Sequence, residues 1–414
     1  MKQDANQIKE LIKSRLKSKD IVLWGYDEKA KEFYYNYKEI YRIKKCVTEK
    51  IKHPFWFDDE QTIPIVEWEK YEGEEKDFIV IFSSPFVHIE NQILASGMKI
   101  FEEYVDSSLV EVALSDKKIA IMAGNCQIAT IGEFLSQLEI FKEEYMFFRF
   151  LSHKWKSRYS MKSLSYLKNI CDLYICMRHE DDDIKFFSKE ELPEHCKILT
   201  LPSSISRLYW PQMKIGRKSA ENEYFMKNIM TYDHGPFEYG DVNINRLIEE
   251  GKSPDEIVAI LSDENFYTKE EVEDHLEMAM RVLECEEYGC DVKYLSYIQE
   301  NFQKNMLYKD MIHLQVSFIW WIVRQLLMCL QLDTSEAEEM ERLQTDPKSQ
   351  EYSVHCTEVP VYPSVAKHMG LEWCNKDTLY DVTFYNGRRK MTFEEYIRAY
   401  YDICSKMKQI FEQW

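Results

Sequence analysis

Residues 117–135 read KKIAIMAGNCQIATIGEFL, and this stretch decides the fold of the larger part of the chain. The apolar run IAIMA, from Ile119, is typical of a buried strand, and IATIGEFL, from Ile128, has the apolar spacing of a helix. The residues Gly-Asn-Cys-Gln lie between the two runs, and Gly124 permits a tight turn there. The stretch therefore predicts a strand, a corner and a helix, with Cys126 at the N-terminus of the helix.

Strand and helix signals also alternate upstream of this corner. DIVLWGYDEKAKEFYYNY, from Asp20, combines an apolar strand, a turn at Gly25 and a helical pattern, and further strand signals follow in KKCVTEK, IPIVEW and DFIVIFSS. This alternation is typical of a parallel sheet, so we expect residues 1–114 to form a small Rossmann-like domain. The turn WGYDEKA has one glycine where a dinucleotide-binding turn has three, which favours a structural or docking role over a nucleotide site.

Downstream patterns predict a second, larger α/β domain over residues 115–414. The segment SLVEVALSDKKIAIMAG at 108–124 is expected to start a new strand, with the domain boundary near Ser115. Strand-like runs EYMFFRF, DLYICMR and HCKILTLP follow the corner, and the second half of the chain is rich in helical patterns. In the pattern NINRLIEEGKSPDEIVAILSDE, Ser253 and Pro254 stand where a helix N-terminus favours a cap and a proline. The predicted fold class is α/β, a small parallel-sheet domain followed by a larger domain with a helix-rich C-terminal half.

The overall charge argues against a nucleic acid as the main partner. The 414 residues include 53 Lys and Arg against 72 Asp and Glu, a formal charge of −19, so the chain as a whole repels phosphate polymers. A local cationic pocket for a small anion is still compatible with this charge.

The apolar stretches and the cysteines indicate in which cellular compartment the protein is expected. The start MKQDANQIKE lacks the apolar core of a signal peptide, and no run approaches the ~18 apolar residues of a membrane helix, so we expect a cytoplasmic protein with no membrane span. The longest apolar stretch, VSFIWWIVRQLLMCLQL from Val316, is expected to form a buried helix. The eleven cysteines show no disulfide framework, and the spacing of neither Cys171 with Cys176 nor Cys285 with Cys290 supports a metal site.

Cys126 could carry chemistry at the predicted corner. Backbone N–H groups and the helix dipole at a helix N-terminus favour an anion such as a thiolate or an oxyanion. Asn125 and Gln127 add side-chain amides that can point at the same anion. The alternative is a small buried cysteine with Asn125 satisfying the turn, and the motif alone leaves both interpretations open.

A nucleophile needs a base, and His313 is the best placed of the ten histidines. Asp310 precedes it by three residues, and this D-x-x-H spacing can bring a carboxylate close enough to orient the imidazole. Such a tetrapeptide often occurs by chance, so it becomes informative only together with the cysteine at the corner.

Four segments together carry a family resemblance: GNCQ at 124–127, LPSSISRLYWPQ at 201–212, NRLIEEGKSPDEIVAIL at 245–261 and YIQENFQKNMLYKDMIH at 297–313. On these segments the chain, from about residue 117 to its end, resembles the WcbI-type capsular polysaccharide biosynthesis family. Members of this family are similar to coenzyme A-binding acetyltransferases. The order of the corner and the D-x-x-H also resembles the layout of SGNH hydrolases and acyltransferases, with Cys126 where the serine usually stands.

This resemblance implies roles for specific residues. The acyl site would be lined by Gly124, Asn125, Cys126 and Gln127. The base would be His313 with Asp310. The chain departs from the pattern directly after this histidine, where Leu314 stands in place of an expected proline.

Coenzyme A, with acetyl-CoA as the acyl donor, is the ligand that the resemblance implies. Its phosphates require a local cationic patch in an acidic protein. RFLSHKWKSRYS and SRLYWPQMKIGRK supply candidate residues for such a patch, namely His153, Lys154, Lys156, Arg158 and Arg207. Both clusters are equally consistent with solvated surface runs.

The leading hypothesis is an acetyl-CoA-dependent O-acetyltransferase that acts on a sugar or polysaccharide precursor of a capsule or other surface glycan. A carbohydrate esterase with the same layout is one alternative. A non-catalytic assembly protein, docked to other glycan-biosynthesis proteins or forming a homo-oligomer, is another. The sequence leaves open whether Cys126 becomes acylated or only helps to hold the thioester.

Overall fold

The computed structural model describes residues 2–50, 55–57, 62–82, 86–151, 161–178, 191–213, 240–346, 357–384 and 387–412. The chain forms two compact units. The first comprises Met1–Cys176 with Glu180–Leu199, and the second comprises Met177–His179 with Thr200–Trp414. The boundary predicted near Ser115 falls inside the first unit, between its two sheets, and stays a prediction of domain organisation.

The first part of this unit is built on a six-stranded sheet. Its elements are α1 (Lys2–Ser18), β1 (Asp20–Trp24), α2 (Glu28–Tyr37), β2 (Ile43–Thr48), β3 (Phe55–Phe57), β4 (Thr62–Glu67), β5 (Asp77–Ile81), α3 (Phe86–Ala95), β6 (Tyr104–Asp106) and α4 (Ser107–Leu114). The strand order is β3-β4-β2-β1-β5-β6. All neighbours pair in parallel except β3 with β4, which are antiparallel.

The apolar runs that predicted these strands are buried. Every residue of β1 and β5 is buried, as expected of parallel strands covered on both faces. Helix α2 begins at Glu28 because the Asp27 side chain caps it, accepting a hydrogen bond from the Ala30 N–H at 3.0 Å. The parallel sheet confirms the predicted Rossmann-like α/β arrangement.

Residues 108–114 form a helix and not the start of a strand, so that part of the sequence interpretation was wrong. Asp106 caps α4 by accepting a hydrogen bond from the Ser108 N–H at 2.8 Å. The apolar residues Leu109, Val110, Val112 and Ala113 then form a buried helical face. The cap and this burial outweigh the strand preference of the two valines.

The second sheet, most of whose residues belong to the first unit, carries the predicted corner. Its elements are β7 (Lys118–Gly124), α5 (Cys126–Leu135), α6 (Glu139–Glu144), β8 (Tyr145–Leu151), α7 (Met161–Asn169), β9 (Cys171–Met177) and β10 (Lys197–Leu201). The strand order is β10-β9-β7-β8, and β7 pairs in parallel with both β8 and β9. One apolar core connects this sheet with the first, through residues such as Leu16, Val110 and Leu167.

Helices make up more than half of the described residues of the second unit, which confirms the predicted helix-rich half. They are α8 (Val242–Glu249), α9 (Pro254–Leu261), α10 (Lys269–Glu287), α11 (Leu295–Asn301), α12 (Val316–Leu330), α13 (Ser335–Thr345), α14 (Pro363–Met369) and α15 (Phe393–Glu412). Strands β11 (Tyr380–Phe384) and β12 (Gly387–Met391) form an antiparallel pair.

The predicted cap at Ser253 is confirmed, and it starts a separate helix. Gly251 has a φ of 75°, a left-handed conformation that ends the helical run, so the pattern from Asn243 contains two helices, α8 and α9. Ser253 and Glu256 then cap α9 reciprocally, each side chain bonding to the other's backbone N–H.

Helix α12 is the apolar stretch that was expected to be a buried helix, and the expectation is confirmed. Eight of its residues are buried, among them Phe318, Trp320 and Leu327. Within the described ranges, no helix combines the length and the apolar character needed to cross a membrane.

Candidate functional site

The corner between β7 and α5 places Cys126 in the first turn of a helix. Strand β7 ends at Gly124 and α5 begins at Cys126, so Asn125 alone separates strand from helix. The Asn125 Oδ1 accepts a hydrogen bond from the Gln127 N–H at 2.9 Å and caps the helix. Cys126 is half-buried. The strand therefore delivers a partly accessible thiol to the positive end of a helix dipole.

Gly124 is required here for a steric reason. A Cβ at this position would lie 2.6 Å from the Ile128 Cγ1 and 2.9 Å from its Cβ, closer than real side-chain atoms approach. Ile128 is itself buried under the helix. Only glycine therefore lets the first turn of α5 pack directly on the end of β7.

The two amides beside Cys126 differ in their surroundings. The Asn125 Oδ1 is engaged in the helix cap, whereas Gln127 is 4% exposed and therefore buried. Of the four residues GNCQ, Asn125 shapes the backbone and Cys126 presents a partly accessible thiol. The predicted acyl-site roles of Gly124, Asn125 and Gln127 stay predictions.

In the second unit, Asp310 and His313 lie in direct contact. The His313 Nδ1 is 2.7 Å from the Asp310 Oδ2. The other carboxylate oxygen, Oδ1, accepts hydrogen bonds from the backbone N–H groups of Ile312 at 2.7 Å and His313 at 2.8 Å. Because an ionised carboxylate can only accept, the proton of a neutral His313 belongs on Nδ1 and the lone pair on Nε2.

The loop that holds this pair is anchored at both ends. Tyr308 and Leu314 form an antiparallel bridge, and the Lys309 N–H donates to the His313 carbonyl at 2.8 Å. The Met311 carbonyl accepts a hydrogen bond from the Ser206 N–H at 2.8 Å. Since Asp310 is only 2% exposed, its hydrogen bonds are shielded from water and fix the orientation of the imidazole.

Arg207 lies in the segment that Ser206 ties to this loop. Its guanidinium Nη1 donates to the Met213 carbonyl at 2.9 Å, and its own carbonyl lies 2.8 Å from the His275 Nε2. Burial lowers the pKa of His275, which favours the neutral ring with the proton on Nε2. His275 was not predicted from the sequence, where its only signal is a position on the buried face of α10. Arg207 thus has a structural contact, and its predicted phosphate role stays a prediction.

The remaining predicted cationic residues, His153, Lys154, Lys156 and Arg158, lie outside the described residues. The chain enters that segment from Leu151, the last residue of β8, which pairs in register with Gly124. Among the described residues, no group of three or more His, Cys, Asp or Glu side chains is arranged to hold a metal ion.

A buried carboxylate that sequence reasoning missed caps helix α8. The Asp241 Oδ1 accepts from the N–H groups of Asn243 and Ile244, both at 2.9 Å, and the Tyr362 hydroxyl lies 2.9 Å from each carboxylate oxygen. Burial raises the pKa of Asp241 to about 6. Only the preference of aspartate for helix N-termini pointed to it.

The structure thus brings the predicted residues together in two groups. Gly124, Asn125, Cys126 and Gln127 form the corner in the first unit, and Asp310, His313 and Arg207 belong to the second.

Comparison with known proteins gives two matches. The family described as polysaccharide biosynthesis enzyme WcbI matches residues 119–335. A solved structure is similar to this chain, with a TM-score of 0.51. It is described as WcbI, a novel polysaccharide biosynthesis enzyme, in its native form without a disulfide bond between coenzyme A and one of its cysteines. It is 13% identical, and the match covers 70% of this chain and 91% of that one, which indicates a shared fold. No curated protein matches the chain.

Proposed function

Because the chain belongs to the WcbI family of polysaccharide biosynthesis enzymes, we propose that it transfers an acetyl group from acetyl-CoA to a sugar hydroxyl of a capsular or other surface polysaccharide. The observation that carries this proposal is the Asp310–His313 pair, a buried carboxylate that orients an imidazole at 2.7 Å inside the matched region. The solved relative, described in connection with coenzyme A, supports the choice of acyl donor.

His313 acts as the general base. Its Nε2 takes the proton of the sugar hydroxyl, and the oxygen attacks the carbonyl carbon of the thioester. The C–S bond then breaks, and the coenzyme A sulfur leaves with the proton that the imidazolium returns. Asp310 stabilises the imidazolium and holds its tautomer without itself taking the proton.

The family resemblance assigns the acyl group to the Cys126 corner. The Gln127 N–H is occupied by the Asn125 cap, so stabilisation of the oxyanion falls to the N–H groups of Cys126 and Ile128 in the same turn. The partly exposed thiol at this helix end suits the thioester end of coenzyme A. It either contacts the thioester or accepts the acetyl group transiently before the sugar does.

The phosphates of coenzyme A are assigned to the cationic run at 153–158 and to Arg207. This assignment rests on the basic residues of the sequence alone. Basic side chains in this run would offset the overall charge of −19 at the ligand.

The test is a transfer assay with acetyl-CoA and a panel of nucleotide sugars and oligosaccharides, following free coenzyme A and acetylated product. We expect His313→Gln to lower the rate by about 100- to 10,000-fold, and Asp310→Asn by a smaller factor. Cys285→Ala, which removes an exposed cysteine of α10, is the matched control for Cys126→Ala and should retain the rate. If Cys126→Ala transfers acetyl groups at the full rate, the thiol neither contacts the thioester productively nor accepts the acetyl group.

Two further readouts separate the alternatives. Coenzyme A should raise the melting temperature further and further as its concentration exceeds the dissociation constant, which an esterase that needs no coenzyme does not predict. Intact mass after incubation with acetyl-CoA alone shows whether Cys126 carries an acetyl group. Hydrolysis of sugar acetates without any response to coenzyme A would overturn the transferase proposal in favour of an esterase.

A further inference from the structure

Two cysteines distant from the Cys126 corner lie in contact with each other. Cys171 is the first residue of β9, and Cys196 directly precedes β10, the neighbouring strand. Their sulfur atoms are 3.6 Å apart. The adjacent residues are also paired, since the His195 Nε2 lies 3.4 Å from the Asp172 Oδ1. Two short segments therefore face each other, thiol to thiol and imidazole to carboxylate.

The two thiols differ in access and acidity. Cys171 is fully buried, whereas Cys196 is partly exposed. The neighbouring Cys171 thiol lowers the pKa of Cys196, while the contact with Cys196 and burial raise the pKa of Cys171. This asymmetry makes Cys196 the thiol that reacts first and Cys171 the one that follows.

A cavity of about 330 Å³ lies beside the contact of His195 with Asp172. Its lining includes Asp172 and His195, the chain neighbours of the two cysteines. Lys9 and Lys117 also line it, against the single carboxylate of Asp172. Their ammonium groups donate to the carbonyls of Ser115 and Lys142 and keep their positive charge, so the lining favours an anionic molecule.

This cavity is separate from the candidate acyl site. It lies at the start of β7, where Ile119 pairs in register with Cys171. Gly124 stands five residues further along the strand, about 17 Å away at the usual rise of a strand.

We propose that Cys171 and Cys196 form a thiol modification site that reacts with an anionic low-molecular-weight disulfide. The Cys196 thiolate attacks one sulfur of the small disulfide, whose S–S bond breaks and releases one half as a thiol after protonation. Cys171, after losing its proton, attacks the Cys196 sulfur of the mixed disulfide and releases the second half. The products are a Cys171–Cys196 disulfide and two small thiols, so the protein is oxidised by two electrons and the small disulfide is reduced by two.

The test uses the full chain in buffers with graded ratios of oxidised to reduced glutathione. Free thiols are alkylated after equilibration, and the digested protein is analysed by mass spectrometry. We expect the peptide linked through Cys171 and Cys196 to form at a more reducing ratio than any other pair among the eleven cysteines. A folded protein in which Cys196 accumulates glutathione while no link to Cys171 forms would overturn the proposal.

Variants separate the two steps. Cys171→Ala should stop at glutathione bound to Cys196, and Cys196→Ser should leave Cys171 unreacted while the protein is folded. Cys176→Ser, a buried cysteine on the same strand, is the matched control and should give the linked peptide as the unaltered chain does. Reaction of Cys171 in folded Cys196→Ser at the unaltered rate would contradict the assigned order.

The role of the cavity is tested by charge. Lys9→Gln should slow the reaction with oxidised glutathione several-fold and leave the reaction with the neutral bis(2-hydroxyethyl) disulfide unchanged. If Lys9→Gln slows the reaction equally with both reagents, or slows it with neither, the cavity does not take part in the reaction.

Discussion

The corners that follow β1 and β7 are built alike and differ in what stands at the start of the helix. Both strands lie inside a parallel sheet, both corners contain a glycine, and both helices have an Asx cap, Asp27 for α2 and Asn125 for α5. In α2 the chain supplies Glu28 in the first turn, so its own carboxylates occupy the positive helix end. The first turn of α5 has no acidic residue and presents Cys126. One helix therefore carries its own negative charge in its first turn, and the other carries none.

The largest expected effect comes from making the second corner like the first. Cys126→Asp places a carboxylate at the start of α5, which should keep or slightly raise the melting temperature because a helix N-terminus favours negative charge. Transfer of acetyl groups should fall by about 100- to 1000-fold, since the oxyanion then meets a like charge. Steady-state kinetics and thermal unfolding measure the two effects.

The control for this substitution is Glu28→Gln, which removes the carboxylate from the first corner and should leave transfer unchanged. A Cys126→Asp protein that transfers acetyl groups at the full rate would show that no anion forms at the second corner.

A third capped helix, α8, shows what happens when the capping carboxylate is buried. The pKa of Asp241 is raised from 3.8 to about 6 in the folded protein, so the folded state holds this proton more tightly than the unfolded state. Its contribution to stability is present at low pH and is lost as the pH rises through about 6, with a total of about 3 kcal/mol. The free energy of unfolding, measured with urea between pH 4 and 7, should show this loss.

Asp241→Asn keeps a capping oxygen without the charge and is expected to remove this part of the pH dependence. Asp27→Asn changes an exposed cap, and the same measurement on this variant should still show the loss of stability as the pH rises. An unaltered pH profile in Asp241→Asn would contradict the assignment.

Alanine at either corner glycine should destabilise the protein, for a different reason at each position. Gly25 has a φ of 105°, which strains any side chain, whereas an alanine at Gly124 would collide with Ile128. Each glycine-to-alanine change should cost about 1 to 3 kcal/mol. In a double-mutant cycle by urea unfolding, Ile128→Ala should offset part of the cost of Gly124→Ala and none of the cost of Gly25→Ala. If the costs of Gly124→Ala and Ile128→Ala in free energy of unfolding simply add in the double variant, the steric explanation is excluded.

The smallest effects concern the caps themselves. Asn125→Ala and Asp27→Ala should each lower the free energy of unfolding by about 1 kcal/mol, because each removes one hydrogen bond to a helix N–H. Only Asn125→Ala should also reduce the thermal shift caused by coenzyme A. An equal reduction in both variants would indicate a global loss of stability and no special role of the second corner.

Features decided by neighbours along the chain could be read from the sequence. The strand at Ile119–Ala123, the cap at Ser253 and the contact of Asp310 with His313 each depend on a few consecutive residues. Helix α4 was missed because its valines favour strands and its capping aspartate lies just before the segment considered.

Features decided by packing could not be read in this way. The spacing of the cysteines drew attention to Cys171 with Cys176, whereas Cys171 in fact contacts Cys196, which becomes its neighbour only when β9 and β10 lie side by side. The burial of Gln127 and Asp241 likewise depends on parts of the chain that are distant in sequence. The roles assigned to the corner and to His313 stay predictions until transfer is measured.

The hydrogen bonds of Asp310 also give His313 a spectroscopic signature. Because Nδ1 donates to a shielded carboxylate at 2.7 Å, its proton should exchange slowly with water and resonate downfield of ordinary imidazole protons. That single resonance would report on the protonation of the ring as an acceptor sugar approaches Nε2, without any turnover. It would thus allow a search for the natural acceptor by titration alone.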